Sequence, residues 1–388
     1  MRRSSLLGFE MDLNRPLFAA LAVAGLLFLV APELRADPAQ TAEPWRRAIG
    51  PWPWQFPRDH GAHPDFKTEW WYFTGNLAGA AGRQFGFQLT IFRQGVQFTP
   101  VQTASKWAVR DAYFGHFTIS DLAAGKFHVA ERVSRGALGE AHASVGRMDA
   151  ALGPWSITMA DGGEQMHLVA REPDMAIDFA ASPAKPLVLE GVNGLSRKST
   201  GPGEASYYYS YPRLATSGQL RLSDTLFAVS GLSWFDHEFS TSSLGPNQAG
   251  WDWFCLQLSN HEEIMLYAMR DKSGAMDPIS EGTWIRADGT SERLLPGSFS
   301  IAKLGTWRSP QSGAVYPSGW RVTVPEHGAD LTVLPAMAGQ ELNLTKMGTL
   351  DYWEGACAIT GAVASGQVSG VGYTELTGYA QPLQREMK

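Results

Sequence analysis

Hydrophobic and polar residues alternate along much of this chain with a period of two, the spacing of half-buried strands. Phe85, Phe87, Leu89 and Ile91 fall on one face, with Gly86, Gln88 and Thr90 on the other. Around Gly231–Phe239 the same rule puts Phe227, Val229, Phe235, His237 and Phe239 opposite Trp234, Asp236 and Glu238. A histidine thus sits on an otherwise apolar strand face. Turn signals separate such runs, among them Gly79-Ala-Ala-Gly82, Asp161-Gly-Gly163, Asp288-Gly289 and Glu326-His-Gly328. Many short strands without helix-length crossovers predict an all-β protein of antiparallel barrels or strongly curved sandwiches, and barrels of roughly eight strands leave room for a small ligand.

The pattern occurs twice. Glu69-Trp-Trp-Tyr-Phe-Thr-Gly-Asn-Leu77 resembles Gly250-Trp-Asp-Trp-Phe-Cys-Leu-Gln-Leu258, which aligns Trp70 with Trp251 and Phe73 with Phe254. Further pairs follow in order: Phe92-Arg93 with Met269-Arg270, Trp155–Gly163 with Trp320–Gly328, Tyr209 with Tyr352, and Gly231–Trp234 with Gly370–Tyr373. The spacing between partners shrinks steadily, as it must if one unit was duplicated and the second copy lost loop residues. The break Ser240–Ala249 then separates two domains, 59–240 and 241–388.

Ahead of them, Arg2, Arg3 and Arg15 flank the apolar run Leu17–Val30, which leads to Ala36. This reads as an export signal over 1–36, with a membrane anchor as the alternative, followed by a Pro- and Ala-rich linker over 37–58. A composition of 44% hydrophobic and 18% charged residues fits a globular body, and a net charge of -6 without a basic run excludes nucleic acid as a partner. Cys255 and Cys357, the only cysteines, are either one disulfide or two buried thiols.

Together, Trp70–Leu77, Trp234–Ser240, Trp251–Phe254 and Gly370–Tyr379 resemble the AttH / carotenoid 1,2-hydratase family over about His60 to Tyr379. The resemblance implies two tandem lipocalin-like (calycin) antiparallel barrels in an exported protein, periplasmic or extracellular. It implies a lipophilic small molecule bound at or between the barrels, no cofactor, and an association with the membrane or an ABC transporter. It carries the family's acid–base histidine onto His237. The family's Trp two residues later is Phe239 here, and its acid after a downstream Tyr is missing, since Tyr267 is followed by Ala268 and Met269.

The duplication acts as an internal control on candidate chemistry. Asp236 has Glu375 as its counterpart, whereas His237 matches Leu376, and Trp71 matches Asp252. His237 and Asp252 are therefore polar in one copy only and lie near the joint, so the expected acid–base set is His237, Asp252 and Asp236. The expected ligand-binding residues are Trp234, Phe239, Trp251, Trp253 and Tyr267. The plainer alternative makes His237 a hydrogen-bonded core residue and the two aspartates loop anchors. No metal site is expected, because Asp236-His-Glu238 and His261-Glu-Glu263 lack helical spacing or an answering cluster. Serine-hydrolase and phosphate-loop motifs are absent.

Overall fold

Two strands of 18 residues each, Ala205–Leu222 and Thr225–Ser242, form the spine of the first of two large sheets. The computed structural model describes residues 45–98, 107–160, 162–242, 244–346 and 350–383. The expected export signal and the first part of the linker lie outside the described residues. On one side of the spine run Thr68–Gly79, Gln84–Gly95, Asp111–Asp121 and Lys126–Arg135, and on the other Met175–Pro183, Met166–Arg171, Trp155–Met159, Asp149–Leu152 and Ala141–Ala143. Every pairing is antiparallel. Asp149–Leu152 returns against the opposite edge, so the sheet curls into a nearly closed barrel. Gly115 marks the closure, where a Cβ would stand 2.9 Å from Leu152 and 3.0 Å from Trp155. Inward residues Phe73, Phe87, Phe117, Ile157, Phe179 and Phe235 are completely buried and fill the interior.

The second sheet repeats this order from Gln248–Leu258, with Glu263–Asp271, Glu281–Ile285 and Ser291–Leu294 on one side. On the other lie Gly366–Leu376, Leu350–Val363, Ala329–Pro335, Trp320–Val324 and Ser300–Lys303. Twin glycines confirm the equivalence. Gly218 and Gly361 both have φ 154°, and a Cβ on either would fall 2.1 Å and 2.2 Å from the carbonyl oxygens of Asp178 and Asp330. One part of the sequence match is displaced. Trp155–Met159 is the third strand out from Ala205–Leu222, but Trp320–Val324 is only the second out from Leu350–Val363. A shared Trp-led alternation matched strands that occupy different places in the two sheets.

The barrels meet along their outer faces. Tyr72, Tyr208 and Trp234 from the first pack with Trp253, Cys255, Tyr267 and Tyr373 from the second. Gly86 allows a close approach, since a Cβ there would stand 2.8 Å from that of Ala356. At one end Lys185 and Arg213 of the first barrel both bind Glu263 of the second, Lys185 Nζ donating at 2.6 Å. The cysteines form no disulfide. Cys255 and Cys357 lie on the two strands flanking Gly366–Leu376, two interstrand spacings or about 10 Å apart, beyond the roughly 7 Å that a bridge tolerates. Cys255 faces the seam and Cys357 the second barrel's core. Among the described residues no helix is long and apolar enough to cross a membrane.

Candidate functional site

The outer face of Thr225–Ser242, polar in the sequence, is buried because the second barrel covers it. Asp236 there is 4% exposed. Its Oδ1 accepts from Trp234 Nε1 and Ser210 Oγ, both at 2.6 Å, and its Oδ2 accepts from Tyr208 OH at 2.7 Å. Trp253 Nε1 donates in turn to Tyr208 OH at 3.2 Å. From the second barrel, Glu354 Oε1 accepts from Tyr72 OH at 2.6 Å, and the Tyr352 hydroxyl reaches the same carboxyl group. Glu375 Oε2 accepts from Trp251 Nε1 at 2.9 Å. Glu190 accepts from Thr283 Oγ1 across the seam and lies within reach of the Ser210 hydroxyl. Lys198 Nζ lies 3.2 Å from Glu238 Oε1 and 4.5 Å from the centre of the Tyr267 ring. Burial in this company pushes Asp236 and Glu375 up to about 7 and Glu190 up to about 8, against the donors each one has. Glu354 is raised well above the ordinary range by burial and by the nearby Glu375. Carboxyl groups that keep their protons near neutrality can act as acids or as hydrogen-bond donors.

A second polar cluster lies where the lead-in segment caps the first barrel. His237 is completely buried, its Nε2 is 3.0 Å from Glu69 Oε1 and its Nδ1 is 3.1 Å from Tyr209 OH. The same hydroxyl is 2.7 Å from His60 Nδ1. His63 bridges two carboxylates, with Nδ1 2.7 Å from Glu69 Oε1 and Nε2 3.3 Å from Asp59 Oδ1. Arg93 Nε holds the other Glu69 oxygen at 3.0 Å. Burial lowers His237, with Glu69 opposing it, and lowers His60 to about 4. For His63 burial is outweighed by the two carboxylates, so its imidazole sits above the ordinary value. Against the expectation from sequence, His63, Glu69 and His237 offer three ligand atoms within 4.8 Å of one another, a set able to hold a metal. Their hydrogen bonds already account for each atom. Arg58 pairs with Asp59, and Arg93 with both Glu69 and Asp111. This is the arrangement of a structural clasp.

The sequence-predicted residues therefore divide three ways. Asp236, Trp234, Trp253, Trp251 and Tyr267 come together at the seam. His237 and Phe239 do not reach it, because strand alternation turns them into the first barrel, where Phe239 stacks on His63 at 3.6 Å. Asp252 faces the second barrel's interior, where Arg270 Nε donates at 2.7 Å and Tyr379 OH at 2.9 Å. His237 and Asp252 thus do not form one site. Glu375, Glu354, Glu190, Tyr72, Tyr208 and Lys198 were missed, although the pairing of Asp236 with Glu375 in the duplication pointed to one of them.

Two lipocalin-like barrels joined along an aromatic, carboxyl-rich seam define the class of protein. The chain belongs to the AttH-like family, whose pattern matches residues 47–379. A solved structure from Nitrosomonas europaea, assigned as an AttH, is 34% identical, with a TM-score of 0.76 over 86% of this chain and 99% of that one. Kievitone hydratase from Nectria haematococca shares the fold at 16% identity and a TM-score of 0.64, covering 88% of this chain and 99% of its own. CghA, solved with Sch210972, does so at 13% and 0.51, covering 82% and 89%. No curated protein matches the sequence.

Proposed function

We propose that this protein binds a lipophilic small molecule between its two barrels. The observation that carries this reading is the seam itself, where both barrels contribute aromatic rings around the carboxyl groups of Asp236, Glu354 and Glu375. Buried carboxyl groups among aromatic rings offer polar contacts to a lipophilic ligand, and the rings of Trp70 and Trp251, packed against the same cluster, are only partly buried. CghA, a protein of the same fold, was solved with the small molecule Sch210972, which supports a ligand role. A second reading, acid–base catalysis on that molecule, is favoured by Asp236 and Glu375 holding their protons to about 7 and by the name of a relative, kievitone hydratase. Export belongs to the same proposal, from the Arg-flanked apolar run ahead of Ala36.

Organic extraction of the protein purified from its own host, followed by mass spectrometry, is the test. One apolar compound in near-stoichiometric amount is expected. Protein that carries none, and whose thermal unfolding is unmoved by the host's lipid extract, would overturn the reading.

A further inference from the structure

The seam carboxyl groups are not equivalent. Both oxygens of Asp236 are occupied by three donors, so a ligand finds nothing free on it. Glu375 has one hydrogen bond, from Trp251 to Oε2. It also keeps part of its surface accessible, although its strand neighbours Thr374 and Leu376 are completely buried. The partly buried rings of Trp70 and Trp251 belong to the same cluster. Glu354, 1% exposed and held by Tyr72, adds a second carboxyl group from the adjacent strand. We propose that Glu375 is the ligand-facing group of the seam, a neutral carboxylic acid that donates a hydrogen bond, and that Asp236 is the positioning residue that holds the proton on it. The inference rests on the seam-binding reading above and narrows the ligand to a neutral lipophile bearing a hydrogen-bond acceptor, such as a carbonyl, to the exclusion of fatty-acid anions.

The electrostatics follow from what faces Glu375. Asp236 and Glu238 face it from Thr225–Ser242, Glu354 and Tyr352 from Leu350–Val363, Tyr72 from Thr68–Gly79, Trp251 from its neighbouring strand, and Lys198 from a loop of the first barrel. Burial and the charges of Glu238 and Asp236 disfavour its anion, while Trp251 and Lys198 favour it. A ligand carboxylate would add another negative charge to a place with one nearby cation, and desolvating it there without a partner is costly. A carbonyl oxygen instead completes the free O–H of Glu375.

cis-Parinaric acid and its methyl ester, fluorescent lipids that differ in this one group, provide the test on the full chain. At pH about 6, where Glu375 keeps its proton and the ligand carboxylate is ionised, the ester is expected to bind at least about tenfold more tightly than the acid, the value of one unpaired buried polar group. The ester's affinity should fall as the pH rises through about 7. Glu375→Gln, a neutral isostere, should bind the ester without this pH dependence. Asp236→Asn should move the midpoint to lower pH, because a neighbour that ionises over the same range and then repels the Glu375 anion is removed, an effect that a merely structural role does not produce. Acid bound as tightly as ester at pH about 6, an ester affinity that does not change with pH, or an unchanged profile in Glu375→Gln would each overturn the role of Glu375 and leave seam binding standing. Failure of the ester to bind at any pH would overturn seam binding itself.

Discussion

Asp236 and His237 are consecutive in the chain and look into different compartments. Asp236 faces the seam and accepts from Tyr208 of the same barrel, whose hydroxyl also receives the indole of Trp253 from the other. His237 faces the first barrel's interior and pairs with Glu69. His237→Gln should therefore cost on the order of 1–3 kcal/mol, the penalty for disturbing a buried hydrogen-bonded group, and leave ester binding unchanged. Denaturant unfolding beside the fluorescence titration checks both. Lost binding with unaltered unfolding would return the acid–base role to His237.

Stability should decline on the alkaline side of neutrality. Unfolded, Asp236, Glu375 and Glu190 release their protons near pH about 4; folded, they hold them to about 7, 7 and 8. In that window the folded state binds more protons, so stability falls as pH rises. His63, raised by its two carboxylates, contributes in the same direction, since its pairing is lost as pH climbs through its folded value. His60 and His116, lowered by burial to about 4 and about 3, act oppositely and only below the unfolded value of about 6.5. Calorimetry should thus give a melting temperature that drops between pH about 6.5 and about 8.5, and Glu190→Gln should flatten the drop. A melting temperature that rises across that range would contradict the assignment.

Gly86→Val should push the barrels apart. The new side chain would begin 2.8 Å from the Cβ of Ala356, and overpacking of this kind costs typically about 1–3 kcal/mol. A melting point equal to wild type would mean that the barrels are not in firm contact there.

Glu263→Ala leaves Lys185 and Arg213 buried without their shared carboxylate. The expected loss is about 3–5 kcal/mol, read by urea unfolding. A loss below about 1 kcal/mol, the range of exposed pairs, would show that water reaches this lock.

Both thiols should resist labelling by a thiol reagent in the native protein and react in denaturant, with the same melting point with and without reductant. Burial pushes both pKa values up, which keeps them unreactive. One thiol pair lost to oxidation in native protein would revive the disulfide.

The strands were legible because period-two alternation is local, and the repeat of Trp70–Leu77 in Trp251–Leu258 marked a duplicated unit. The use of the two faces was not. The Trp234, Asp236, Glu238 face reads as polar and outward, and nothing in the alternation says that a second barrel buries it. The clasp was unreadable for another reason: His237 and Glu69 are 168 positions apart, and no motif or period marks His63, five residues past the expected linker. Strand order likewise escaped the match of Trp155 with Trp320, because similar alternation carries no information about sheet neighbours.

The clasp imposes an order on assembly. Its aromatic arm, with Trp52, Trp54 and Phe56, docks on Tyr207, Tyr209 and Phe239, and its His60 meets a hydroxyl 149 positions downstream. Contacts so distant in sequence form slowly, since a long loop must close before they reward it. The first part of the body to be synthesised is thus among the last to find its place. Until Thr225–Ser242 is complete, the growing chain carries an unsatisfied aromatic arm, the kind of surface on which unfinished chains associate.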